Sequence, residues 1–200
     1  GMALAADVTS VTAIPSNVVF TACLAGTNQN VTSYTWDFGD GNTASGATLA
    51  VVTNRYTAAG SYTVKLTVVN DASESFTASN AGYITVWGST AYVWTNSPSP
   101  GAPYHTWANA ARTIGDAVSA APAGTVVIVT NGTDTISVQI LLDKAITVRS
   151  FGNGVYGGLA NASNTIVRSS GGSRIFNITD AWAVIEGLTI RDGAPGQGVN

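Results

Sequence analysis

The six residues from Trp36 to Gly41 constrain the fold of this chain more than any other stretch. Aromatic side chains at Tyr34, Trp36 and Phe38 alternate with polar residues, which is the period of a strand with one buried face. The Gly-Asp-Gly sequence at 39–41 then predicts a tight turn, because glycine tolerates positive φ and aspartate bonds its own backbone. The run therefore predicts a half-buried strand that ends in a turn.

A second stretch, from Tyr56 to Val68, places a turn at Gly60 before another strand in which apolar and polar residues alternate. Together the two stretches closely resemble the signature of PKD domains, which are small β-sandwiches of the immunoglobulin type. The resemblance covers roughly residues 5–88. One departure is Arg55, because PKD domains often carry a histidine before the tyrosine. The resemblance implies a sandwich of two antiparallel sheets.

The composition independently indicates an all-β protein. Only 10% of the residues are charged, 45% are hydrophobic and 22 are glycine, which argues against disorder and against a helical bundle. The net charge of −3 gives no general attraction to nucleic acid or to anionic membranes. No stretch approaches the roughly 18 apolar residues of a membrane span. Cys23 is the only cysteine, which excludes an intrachain disulfide.

The chain is long enough for two small domains, and its segments predict where they divide. Gly1 before Met2 indicates the remnant of an expression tag, and the small residues that follow are typical of a leader cleavage site. We therefore set residues 1–6 outside the fold and expect a secreted or cell-surface protein. Residues 7–88 form the PKD-like sandwich, and residues 89–200 form a second domain after a short boundary.

One helix is predicted in the second half. Thr113 caps its start and Asp116 completes the capping-box spacing, while Pro122 and Gly124 end it. Its apolar residues recur at helical spacing and form a buried stripe.

Four segments after this helix repeat a pattern of strand, polar residue and glycine turn. They begin at Val127, Thr147, Ile166 and Thr189, with separations of 20, 19 and 23 residues. A period near twenty with a strand in each unit is typical of a stacked β-solenoid. Residues 92–200 look like the beginning of a right-handed parallel β-helix of the pectin-lyase-like superfamily, in which an amphipathic helix covers the first coil.

The expected fold is therefore all-β, with an immunoglobulin-like β-sandwich followed by the helix-capped start of a right-handed parallel β-helix. About three coils fit before Asn200, which is near the minimum for a solenoid core. We expect either the N-terminal part of a longer solenoid or an open end that pairs with another chain, and we favour the first.

Arg149, Arg168 and Arg191 occupy similar places in the repeats, one residue past a buried position. If their registers are equivalent, they stack into a basic stripe that binds an acidic polysaccharide through carboxylate–guanidinium pairs. Alternatively, each is an outward polar residue at a strand end, offset by neighbours such as Glu186 and Asp192. These three arginines are the candidate ligand-binding residues.

Asp37, Asp40 and Asn42 raise the hypothesis of a calcium site, because oxygen ligands at alternate positions converge on a hard cation. The twelve-residue EF-hand spacing is absent, however, and Asp-Gly is a common turn pair. A turn role for both aspartates is therefore favoured. No cofactor or metal is predicted, with calcium kept as the alternative.

His105 and a group of aromatic residues near the domain boundary are weaker candidates. The histidine has no nucleophile at a recognisable spacing, which favours a surface role over that of a general base. Aromatic rings stack on sugars but also pack between domains, and packing is favoured here. These aromatic residues are Trp87, Tyr92, Trp94 and Tyr104.

No catalytic constellation is recognisable in the sequence, which leaves enzyme activity open. The first hypothesis is a non-catalytic region of a secreted or cell-surface bacterial protein that binds carbohydrate or protein. Its partner is a polysaccharide, or a glycan or protein of a cell surface, and neither a nucleic acid nor a membrane span is expected. The alternative is the N-terminal part of a polysaccharide lyase or glycoside hydrolase whose active site lies beyond Asn200.

Overall fold

The computed structural model describes residues 1–25, 30–152 and 159–194, and the chain divides into two compact units, Gly1–Trp87 and Gly88–Asn200. The first unit contains two sheets. One has the strand order β1-β3-β6 and is antiparallel. The other has the order β2-β8-β7-β4-β5 and is antiparallel except for the β2–β8 pair. The strands are β1 (Met2–Ala6), β2 (Ser10–Val11), β3 (Ser16–Leu24), β4 (Val31–Asp37), β5 (Thr43–Gly46), β6 (Val51–Tyr56), β7 (Gly60–Asn70) and β8 (Ser75–Val86).

Aromatic rings from both sheets form the centre of the core of the first unit. Trp36 is fully buried on β4, and its ring centroid lies 6.0 Å from that of Phe20 and 6.2 Å from that of Phe38. Its indole N–H donates to the Leu49 carbonyl at 2.9 Å, which satisfies the one polar group of the ring. The aromatic side chains of Tyr34, Trp36 and Phe38 thus face the core, as the sequence predicts.

The first residues of the chain belong to this unit, so the prediction that residues 1–6 lie outside the fold is wrong. Strand β1 pairs with β3 in an antiparallel register that sets Leu4 opposite Ala22. The Leu4 side chain is only 6% exposed and joins the core. The physical reason is that the Met-Ala-Leu-Ala-Ala run is apolar throughout. As a strand it presents apolar side chains to a sheet face, even though its composition is also typical of a leader cleavage site.

The second unit consists of parallel sheets and one short helix, α1 (Ile114–Ala120). We name the sheets I (β9-β10-β13-β16), II (β11-β14-β17) and III (β12-β15), and every pairing among their described strands is parallel. From β10 onward the chain visits sheets I, II and III in rotation. The strands are β9 (Thr90–Val93), β10 (Val126–Val129), β11 (Gly132–Ile136), β12 (Ile140–Leu142), β13 (Thr147–Ser150), β14 (Thr165–Ser169), β15 (Phe176–Ile178), β16 (Val184–Glu186) and β17 (Thr189–Arg191).

The expectation of a mostly β chain is confirmed, but the repeat period of about twenty residues is not the period of any one sheet. The segments that begin at Val127 and Thr147 lie in sheet I, whereas those at Ile166 and Thr189 lie in sheet II. Residues 151–164, which include a 3₁₀ helix, separate β13 from β14. The pattern of strand and glycine marks strand ends in both sheets, so sequence spacing alone does not show which strands pair.

Side-chain hydrogen bonds stabilise both ends of helix α1. The Thr113 hydroxyl accepts from the Asp116 N–H at 3.1 Å, as predicted for the N-cap. Buried Asp134 on β11 accepts from the Ile114 N–H at 2.9 Å. At the other end, Lys144 Nζ donates to the carbonyls of Ser119 at 3.0 Å and Ala121 at 2.7 Å. A negative group at the start and a positive group at the end both complement the helix dipole.

Gly39 and Gly41 both have positive φ, yet their surroundings differ. The φ angles are +79° and +92°, respectively. A Cβ at Gly39 would lie against the Thr63 backbone, whereas nothing lies within 4 Å of a Cβ at Gly41. We expect Gly41→Ala to cost about 1–2 kcal/mol from the φ angle alone. Gly39→Ala should cost about 3 kcal/mol or more, because a steric clash adds to the same strain. Calorimetry of the first unit's transition measures both, and equal losses would contradict this assignment.

Asp134 predicts a pH-dependent contribution to stability. Burial raises the pKa of its carboxyl, although the Ile114 N–H opposes the rise and the charge of Asp116 adds to it. The folded state therefore binds this proton more tightly than the unfolded state. The contribution is fully present below the ordinary aspartate pKa, and is lost as pH rises through the raised folded value. Asp134→Asn keeps an acceptor and carries no charge, so its stability relative to wild type should increase as pH rises from the ordinary aspartate pKa through the raised folded value.

Calorimetry of the second unit's transition at several pH values checks this expectation. Asp134→Ala is the matched control, because it removes the acceptor at every pH and should destabilise by about 1–3 kcal/mol. A difference between Asp134→Asn and wild type that stays constant with pH would show that the carboxyl does not titrate as described.

Candidate ligand-binding site

Two of the three predicted arginines are neighbours on the exposed face of sheet II. Arg168 on β14 lies directly opposite Arg191 on β17 and, on its other side, opposite Thr135 on β11. Neighbouring strands are about 4.8 Å apart, so the three side chains form a row across the sheet. The Arg168 Nε donates to the Thr135 hydroxyl at 3.1 Å, which orients that guanidinium. Arg191 Nε lies 3.7 Å from an Asp192 carboxylate oxygen, with both side chains at least half exposed.

Arg149 does not join this row, so the prediction of one stripe of three arginines is wrong for this residue. It lies on β13 in sheet I, where the register sets it between Ile128 and Glu186. Its Nη1 is 4.0 Å from Glu186 Oε1. The cause is the unequal length of the segments between strands, which puts the second and third repeats in different sheets. Glu186 thus offsets Arg149, as the alternative interpretation anticipated.

The electrostatics of the Arg168–Arg191 row favour an anionic ligand. Two guanidiniums at the spacing of adjacent strands repel each other weakly in water, and a bound anion reverses this repulsion. Each guanidinium also offers a fork of donors that fits a carboxylate in two contacts. Arg191 also lines a depression of about 510 Å³, together with Arg174, Phe176 and Ile190.

The aspartates of the Trp36–Gly41 run close turns. Asp37 Oδ1 accepts from the Gly39 N–H at 2.9 Å, and Asp40 Oδ1 accepts from the Asn42 N–H at 3.0 Å. The other Asp40 oxygen accepts from the side-chain amides of Asn42 at 3.0 Å and of buried Asn54 at 2.8 Å. A cation at Asp40 would have to displace these donors. Within the described ranges, no group of three His, Cys, Asp or Glu side chains is placed to hold a metal ion.

His105 has a structural environment. It is half-buried, and burial lowers its pKa. The Asn109 side-chain oxygen accepts from the Thr106 backbone and hydroxyl, so the Asn109 amide nitrogen donates to His105 Nδ1 at 3.0 Å. This arrangement places the imidazole proton on Nε2 and joins the histidine to its own loop. The predicted surface position is therefore corrected to a half-buried one.

The aromatic residues near the boundary have different surroundings. Trp87 is 6% exposed in the first unit, whereas Tyr92, Trp94 and Tyr104 belong to the second. Tyr92 packs on Trp107, with ring centroids 4.3 Å apart. That these four aromatic residues pack between the two domains stays a prediction.

Two residues of this neighbourhood, Trp107 and Phe151, are not among the predicted site residues, and their rings are 5.2 Å apart. Phe151 carries a signal that points to it, because it follows Arg149 by two residues and therefore extends the same face of β13. Trp107 carries no such signal, since only the loop that precedes α1 brings it to the sheet.

In the part of the chain that the structure describes, no helix has the length and apolar character needed to cross a membrane.

Comparison with known proteins identifies the first unit. The PKD domain family matches residues 3–86. Among solved structures, the crystal structure of the PKD1 domain from the Vibrio cholerae metalloprotease PrtV is 32% identical. The alignment covers 42% of this chain and 95% of that domain, with a TM-score of 0.34. The comparison with curated proteins found no match.

The matched residues contain the features that the fold depends on. They include the buried Trp36 strand, the turn at Gly39 and Gly41, and Tyr56, whose hydroxyl donates to the Phe38 carbonyl at 3.0 Å. PKD domains are typically extracellular adhesion or binding modules of bacterial proteins. Residues 3–86, which make up nearly all of the first unit, therefore match the PKD domain family.

Proposed function

We propose that this chain is a non-catalytic region of a secreted or cell-surface bacterial protein, and that it binds an acidic polysaccharide through its second unit. The PKD domain supports an extracellular binding role, because such domains are typically adhesion or binding modules. The observation that carries the proposal is the register of Arg168 with Arg191 on adjacent strands of sheet II.

We further propose that the second unit is the helix-capped start of a right-handed parallel β-helix. The rotation of successive strands through sheets I, II and III supports this fold. Helix α1 supports it too, since Ile114, Ala117 and Val118 bury one face before β10 begins. The domain boundary belongs near residue 88, where the two compact units separate.

A stack of parallel coils suits the binding of a long polymer. Each additional strand in sheet II adds a position about 4.8 Å further along the sheet, so a row of cations runs across the strands. A uronate chain carries carboxylates at regular intervals along an extended backbone. Arg168 and Arg191 would engage such carboxylates with paired N–H donors, and the Thr135 hydroxyl keeps one guanidinium in position.

Binding of acidic polysaccharides tests this role. We expect the chain to retain at least one of polygalacturonate, alginate, hyaluronan or heparin at low salt, and to release it as ionic strength rises. The Arg168→Gln/Arg191→Gln variant should bind about tenfold or more weakly, because each lost charge-assisted contact costs about 1.5–3 kcal/mol. Surface plasmon resonance on immobilised polysaccharide measures the change.

Arg55→Gln serves as the control, since it removes one positive charge from the exposed face of β6 in the first unit. It should leave binding within about twofold of wild type. Equal weakening by both variants would indicate a general charge effect and contradict a site at Arg168 and Arg191. Cleavage of the polysaccharide by a longer protein that contains this chain would support the alternative enzyme hypothesis.

A further inference from the structure

We infer that the exposed face of sheet I carries a second ligand site, a short row of aromatic rings that binds a neutral sugar chain. Tyr92, Trp107 and Phe151 form the row, and Arg149 with Glu186 supplies its polar edge. This site lies on a different sheet from Arg168 and Arg191 and does not depend on them.

The ring distances show that the row runs across the strands. Tyr92 lies on β9, and Phe151 directly follows β13, with β10 between these two strands. Two strand spacings amount to about 10 Å. The Trp107 ring lies 4.3 Å from the Tyr92 ring and 5.2 Å from the Phe151 ring, which together span that separation. Trp107 therefore joins the other two rings into one row.

Part of the aromatic surface of the row is exposed to solvent. The plane of Trp107 makes an angle of 51° with Tyr92 and 83° with Phe151, so neither pair stacks face to face. Phe151 is 49% exposed, and both Tyr92 and Trp107 are only partly buried. The row thus offers aromatic surface to the C–H face of a sugar ring.

The polar edge supplies both kinds of hydrogen-bonding group that sugar hydroxyls need. Arg149 precedes Phe151 by two residues, so both side chains project from the same face of their strand. Glu186 lies beside Arg149 on β16. Their closest charged atoms are 4.0 Å apart, too far for a hydrogen bond, and the side chains are 28% and 39% exposed. Both charged side chains are therefore partly accessible to a ligand.

The charge balance selects a neutral sugar over an acidic one. The in-register row across sheet I reads Tyr92, Ile128, Arg149 and Glu186, and its two charges cancel. The Glu186 carboxylate repels a uronate at this position, whereas the paired arginines of sheet II attract it. The two faces thus suit sugars of different charge, which makes their tests separable.

Titration of the whole chain with neutral oligosaccharides tests the site. The panel contains the hexasaccharides of glucose, mannose, galactose and xylose, with an oligogalacturonate for comparison. Saturation-transfer NMR detects binding, and calorimetry gives the affinities. We expect at least one neutral member to bind, and Phe151→Ala to weaken it about tenfold. Arg149→Gln and Glu186→Gln should each weaken it several-fold.

Phe76→Ala is the matched control, because Phe76 lies on β8 of the first unit and is 37% exposed. It should leave neutral-sugar binding unchanged. Arg168→Gln/Arg191→Gln should also leave it unchanged, so loss of the acidic-polysaccharide site does not alter this result. Hydrogen exchange of β10 and β13 confirms that each variant keeps sheet I.

Three outcomes would overturn the inference. They are no binding of any neutral oligosaccharide by the wild type, equal weakening by Phe76→Ala and Phe151→Ala, or unchanged binding in Phe151→Ala. Capture of a defined protein by the same face, with no sugar binding, would assign the rings to a protein interface instead.

Discussion

Register between parallel strands decides which side chains of the second unit become neighbours, and both proposed sites depend on it. A strand presents alternate residues to one face, and the pairing then carries each exposed residue to a fixed partner on the next strand. This constraint places Arg168 beside Arg191, and Arg149 between Ile128 and Glu186. A shift of one residue in either sheet would turn these side chains toward the interior.

Helix α1 shows how the second unit handles charge with few ionisable residues. The helix has only seven residues, too few for stability on its own. Tertiary contacts therefore support it, with Asp134 at one end and Lys144 at the other. Burial of the Asp134 carboxyl costs free energy, which its hydrogen bond to the helix offsets in part. The same hydrogen bond connects β11 to the helix, so the buried carboxyl helps to hold these two elements together.

Local rules predicted several features of both units. The Trp36 strand, the turns closed by Asp37 and Asp40, and the N-cap at Thr113 all follow from residues within a few positions of one another. Even here local composition misled for residues 1–6, because a leader-like alanine run also fits a sheet edge. This run is a strand because it pairs with β3, and a local sequence pattern does not show that pairing.

Sequence patterns specify a mostly β chain, the PKD-like character of its first unit, and the arginines of the proposed site. These features follow from sequence because strand alternation, turn preference and capping act over short distances. Which side chains become neighbours depends on the tertiary structure, and two of the three rings on sheet I, Trp107 and Phe151, did not follow from the sequence. Arg149 left the expected stripe, and Trp107 reached Tyr92 and Phe151, because strand pairing and an unequal connection between β13 and β14 set those contacts. Contacts between residues far apart in sequence depend on the lengths of connections and on burial of the whole sheet, which no local motif encodes.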